Sequence, residues 1–122
     1  MLVENIPTDA NIAQVYFEGI LGGDADVYVN DVYCAQLNQS PNIGGPVDNI
    51  EITAANLPQN CSDAINPGAT NKIRLAFTSG IFANQYVGGG FVRVDYYSES
   101  TNTGESNVEY KRFPGVKSGI VN

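Results

Sequence analysis

The chain has 122 residues, with 13 Asp and Glu, six Lys and Arg, no histidine and a formal charge of −7. That length fits one domain able to bury roughly two-thirds of its unfolded surface without a metal. The acidic balance argues against nucleic acid and anionic membranes, which need a basic footprint, and the missing histidine removes the commonest general base and transition-metal ligand.

Residues 1–11 read as an extended lead-in, broken by Pro7. Asn11–Leu21 alternates as a strand buried on one face. Ala13, Val15 and Phe17 point one way and Gln14, Tyr16 and Glu18 the other. Gly22-Gly23 ends it. Asp24–Leu37 reads as a hairpin, with Asn30-Asp31 supplying the positive φ angles of a tight turn. Asn38–Val47 is a loop, and Asp48–Leu57 alternates again, with Ile50, Ile52 and Ala54 inward. In Pro58–Thr70, Ser62 can cap a short helical turn through Ala64-Ile65 before Pro67 stops it.

The chain is organised around Asn71–Ser98. Ile73, Leu75 and Phe77 form one face of a strand, and Val92, Val94 and Tyr96 form one face of another. These two strands are expected at the centre of a two-sheet sandwich. Gly88-Gly89-Gly90 between them lacks the helix of a dinucleotide fingerprint. It marks a bulge or the close passage of another strand. Asn107–Phe113 is the last strand, with Val108 and Tyr110 inward, and residues 114–122 are a tail or linker to a further module. The expectation is a single all-β domain over 1–122. It is a two-sheet antiparallel sandwich of about seven or eight strands, with an immunoglobulin-like sandwich as the alternative to a jelly roll.

Two cysteines, Cys34 and Cys61, in a strand- and asparagine-rich chain point to a disulfide and an oxidising compartment. Two unrelated buried thiols are the other reading. Asn38-Gln39-Ser40 and Asn60-Cys61-Ser62 are glycosylation-type sequons. No signal peptide and no run of transmembrane length is present, so an extracellular or cell-surface location implies an excised segment.

Three stretches resemble the galactose-binding-like jelly roll, the fold of many carbohydrate-binding modules and of the accessory sandwich in β-galactosidase-type glycosidases. Val15–Gly19 followed by Ala25–Asp31 is similar to its strand and V-Y-V-N hairpin, although Asp31 stands where the family's turn glycine is usual. Ile52–Leu57 resembles its middle strand, and Gly68–Leu75 its G-x-N-x-I-x-L entry. The resemblance covers about residues 12–97. It implies a sugar binder, an adhesive module or a structural spacer.

Catalysis in a chain without histidine has to rest on carboxylates, as in glycoside hydrolases. Glu18, Asp26, Glu51 and Asp95 are the candidates. All four fall at outward strand positions, where charges ordinarily solvate a sheet face. Asp24, Asp26 and Asn30 form a D-x-D-x-x-x-N cluster of hard oxygens, a candidate structural Ca2+ site without EF-hand spacing. Turn and edge polarity explains the same cluster. Tyr28, Tyr97 and Tyr86, with Asn84, offer rings to stack on sugars and an amide to bond hydroxyls. Cover for an open sheet face is the other use of such tyrosines.

The expected function is therefore a non-catalytic surface module with a structural, adhesive or assembly role. Its partners would be other modules or copies of itself. Glycan binding through loop Tyr, Asn and Asp residues is the alternative, and a carboxylate hydrolase comes third.

Overall fold

Two antiparallel sheets pack face to face around an aliphatic core. The structure, a computed structural model, describes residues 1–42, 51–79 and 87–98, together with the backbone of 106–113 and 120–121. Its strands are β1 (Leu2–Val3), β2 (Asn11–Leu21), β3 (Ala25–Val29), β4 (Val32–Leu37), β5 (Thr53–Asn56), β6 (Asn71–Phe77), β7 (Val87–Tyr97), β8 (Ser106–Phe113) and β9 (Ile120–Val121). One short helix, α1 (Gln59–Asp63), follows β5. The first sheet runs β1-β6-β3-β4, with β9 also paired to β6, and the second runs β5-β2-β7-β8. This is the all-β sandwich that the alternation predicts.

β6 and β7 are interior strands of opposite sheets, not partners of each other. Their inward residues meet across the core. Ile73 and Leu75 come from one side and Val92, Val94 and Tyr96 from the other, joined by Val15, Phe17 and Leu21 of β2 and Val27 and Val29 of β3, all buried. Each large aliphatic side chain buried this way contributes roughly 1.5–3 kcal/mol. The β3–β4 hairpin turns at Asn30 (φ 51°) and Asp31 (φ 66°), the paired positive angles of the expected turn.

The triple glycine lies inside β7. Glu18 faces Phe91 and Ile20 faces Gly88, so Gly89 and Gly90 together oppose Gly19 in a bulge. A Cβ at Gly90 would collide with the backbone carbonyl of Glu18, which cannot swing aside as a side chain would. Gly90→Ala is expected to cost about 2 kcal/mol, read as a lower urea midpoint at unchanged m-value.

Four details depart from expectation. Ala13 is exposed, because a register shift between Ile12 and Gln14 makes it an extra residue in β2 and turns Ile12 toward the core instead. β5 has the opposite phase. Gly19 faces Thr53 and Phe17 faces Ala55, so Thr53 and Ala55 lie half-buried while Ile52 and Ala54 face out. Ile50 lies outside the described residues, as do the side chains of Val108 and Tyr110. α1 starts earlier than predicted, after Pro58, with no side-chain cap; Ser62 is buried within it. Finally, the lead-in and the tail each add a two-residue strand to the edge of β6: Val3 and Leu2 face Asn71 and Lys72, and Val121 and Ile120 face Leu75 and Ala76.

Candidate functional site

The Cys34–Cys61 disulfide is formed, and it builds a feature that the sequence did not disclose. Cys34 lies on β4 next to Tyr33, and Cys61 on α1 next to Asn60. Bonding the two cysteines brings their neighbours together. Val32 and Tyr33 of β4 with Asn60, Asp63 and Ala64 of the helical segment line a shallow depression of about 340 Å³. Tyr33 is 53% exposed and presents an open ring beside an amide and a carboxylate. That is the donor and stacking set that suits a sugar.

Tyr28, which the sequence singled out, is engaged by its cross-strand neighbours. It faces Arg74 across β6 and Tyr33 across β4. The Arg74 guanidinium sits over its ring at 4.0 Å, and the Tyr33 ring packs against it in a T-shaped arrangement, 5.8 Å between ring centres. One face of Tyr28 is thus closed by a cation, and Tyr33 is the ring left open. Nearby, the Lys72 amine bonds Asp31 at 2.8 Å and holds its carboxyl below the usual carboxylate range.

The second sheet repeats the motif. Arg93 of β7 lies 4.7 Å over the ring of Tyr16 and forks onto Asp95 (2.7 and 3.2 Å). The Tyr16 hydroxyl donates to Glu18 at 2.9 Å, and Phe91 tilts against its ring at 5.9 Å. Donating to Glu18 is the main reason the Tyr16 phenol is pushed above its usual range. A raised value means that the stabilisation is complete below about pH 10 and is lost as pH rises through the folded-state value. Glu18→Gln is expected to bring the Tyr16 titration back toward 10, as read from phenolate absorbance.

The other candidates are dispersed. Tyr97 is 48% exposed at the end of β7, on the sheet opposite Tyr28. Asn84 and Tyr86 lie outside the described residues. Asp24 and Asn30 flank the extended strand β3, six residues and about 20 Å apart, too far to share one ion. Their polar atoms have structural partners. An Asp24 carboxylate oxygen accepts from the Gln39 N–H at 2.7 Å. The Asn30 amide donates to Ala64 and Asn71 and accepts from the Lys72 N–H. Among the described residues no three His, Cys, Asp or Glu side chains gather as a metal site.

The four carboxylates do not converge either. Glu18 faces Phe91, four residues before Asp95, an offset of about 13 Å along the strand, and Tyr16 and Arg93 fill the space between. Asp26 belongs to the other sheet, and Glu51 precedes β5. Both sequon asparagines, Asn38 and Asn60, are exposed. No helix among the described residues is long and apolar enough to cross a membrane.

Comparison of the chain with protein-family models, with curated proteins and with solved structures finds no match.

Proposed function

We propose that this chain is a non-catalytic surface module that adheres or assembles through the edges of its sheets. The observation that carries this reading is that four of the five large apolar side chains exposed among the described residues lie at or beside sheet edges, Tyr97 of the interior strand β7 being the fifth. Leu2 (46%), Val32 and Tyr33 (53% each) and Ile52 (55%) are all about half exposed. Leu2 is on β1, Val32 and Tyr33 are on β4, and Ile52 adjoins β5. Each of these strands is at a sheet edge. Their sequences, LV, VYCAQL and TAAN, contain no charge and no proline. Edge strands are usually blunted by such residues, and without them an edge is a template for another strand. The disulfide suits an oxidising, extracellular setting, and the resemblance to the galactose-binding-like jelly roll supports the same reading, since that family includes adhesive modules and spacers.

Light scattering coupled to size exclusion tests the proposal. Mass is expected to grow with concentration, and Val32→Lys with Ile52→Lys to reduce that growth. A monomer at every concentration up to about 1 mM overturns assembly between copies.

Glycan binding is the second reading, favoured by the open Tyr33 ring beside Asn60 and Asp63. A binding signal on a glycan panel that disappears in Tyr33→Ala supports it, and a flat panel with and without Ca2+ sinks it.

A further inference from the structure

The outer edge of β6 is covered by two separate pieces of chain. Val3 faces Asn71 and Leu2 faces Lys72. Met1 continues the series, its amine donating to the Ile73 carbonyl at 2.9 Å and its carbonyl accepting from the Ile73 N–H at 2.8 Å. Val121 then faces Leu75, and Ile120 faces Ala76. Both pieces run antiparallel to β6, so they run in the same direction, one behind the other. A single register position, that of Arg74, separates them. Together they act as one broken edge strand.

The two pieces are held unequally. Met1 and Val3 are buried at 3% and 1% exposure and belong to the core. β9 pairs at two register positions only. So few backbone hydrogen bonds, each of small net value, let β9 dock reversibly. The β9 positions, Leu75 and Ala76, lie beyond those that residues 1–3 occupy, so a strand entering them has no need to displace residues 1–3.

Resting on the assembly reading above, we infer that the Leu75–Ala76 edge of β6 accepts residues 120–121 of a second copy of this chain. Every copy carries the segment that fits this edge, so the complementarity is already built in. What decides between its own β9 and a partner's is concentration. A segment tethered to its own fold has an effective concentration in roughly the millimolar range. Exchange becomes appreciable as the chain approaches that density, as it does when held on a crowded surface. The contact is the same whether two copies exchange reciprocally or the exchange runs on head to tail.

Single-cysteine chains test this with the full-length protein. Ala76 and Ile120 face each other, so cysteines placed there lie within disulfide reach. Chains carrying Ala76→Cys are mixed with chains carrying Ile120→Cys, oxidised over a range of concentrations, and resolved by mass. A covalent heterodimer containing one of each, increasing with concentration, is the expected result. The double variant is the control and should close internally when dilute. A double variant that does not close, or a mixture yielding only homodimers or unlinked chains, overturns the inference. If such a mixture still grows in light scattering, assembly stands and uses another edge. If it does not grow, the assembly reading falls as well.

Discussion

Removing the Cys34–Cys61 bond, with both residues changed to alanine, is expected to cost about 3.5 kcal/mol, the chain-entropy value for a loop of 27 residues. In a domain of this size that lowers the melting temperature on the order of 10–15 °C. The loop it closes spans both sheets, since β4 is an edge of the first, β5 is an edge of the second, and α1 lies between β5 and β6. Loss of the bond therefore frees α1 and β5 together. Cys61 is fully buried and Cys34 nearly so, at 4%. Reductant should accordingly act through opening of the fold, with a rate that rises in urea. Thermal unfolding with and without dithiothreitol, alongside the double variant, checks this. Equal melting temperatures in all three would show that the sandwich does not depend on the bond.

Asn71→Ala should be as damaging, by about 3–4 kcal/mol. Asn71 opens β6 and is fully buried. Its amide oxygen accepts from the Asn66 N–H at 2.6 Å and from the Asn30 amide at 2.8 Å. Its nitrogen donates to the Asn66 and Ala69 carbonyls at 3.0 Å each. The side chain thus ties the β3–β4 turn, the start of β6 and the loop between α1 and β6 into one network. Alanine leaves several of those groups without a partner inside the fold, and each buried orphan costs about 1–3 kcal/mol. Asn71→Asp separates hydrogen bonding from volume. A carboxylate would point an acceptor at two carbonyls, and protonating it restores one donor. That variant should be weakest at neutral pH and recover part of its stability in acid. Urea unfolding at both pH values gives the answer, and an alanine variant within 1 kcal/mol of the parent would refute the network's importance.

Much of the sandwich was legible because burial on one face imposes a period of two. Val15 and Phe17, Ile73 and Leu75, and Val92 and Val94 show that period and occupy the core. The turn at Asn30-Asp31 announced itself through residues that tolerate positive φ, and the bulge through Gly88–Gly90. Two-residue strands such as β1 and β9 have no period to read, and only their pairing with β6 reveals them. The extra residue at Ala13 inverted one predicted position for the same reason, because a bulge depends on the partner strand. At β5, the isoleucines at 50 and 52 suggested one phase, but the strand itself begins at Thr53, and its register, with Phe17 facing Ala55, imposes the other.

The site was harder to read than the fold. Alternation alone placed Tyr28 on an outward face, and a residue facing it on β6, Arg74, lies over one side of its ring. Cross-strand neighbours are invisible until register is known. Tyr33 lines a depression with Asn60 for a reason that lies in the disulfide, which sets the two side by side. Only the adjacency of Tyr33 to Cys34 and of Asn60 to Cys61 hinted at this. Asn71 was legible as the entry to a strand and not as a hub, because its partners come from segments up to 41 residues away.

The broken edge strand on β6 also fixes how this module responds to mechanical load. Met1 and Val121 sit near the middle of that edge, facing Ile73 and Leu75. Pulling the two apart draws each back over its own short strand, so the hydrogen bonds open one after another like a zipper. A shear geometry would load them all at once. Under tension β9 should peel at low force and lengthen the chain, while Met1 and Val3 hold through their burial in the core and residues 34 to 61 stay locked by their covalent loop. A force–extension trace should show a soft first step followed by a much stiffer body.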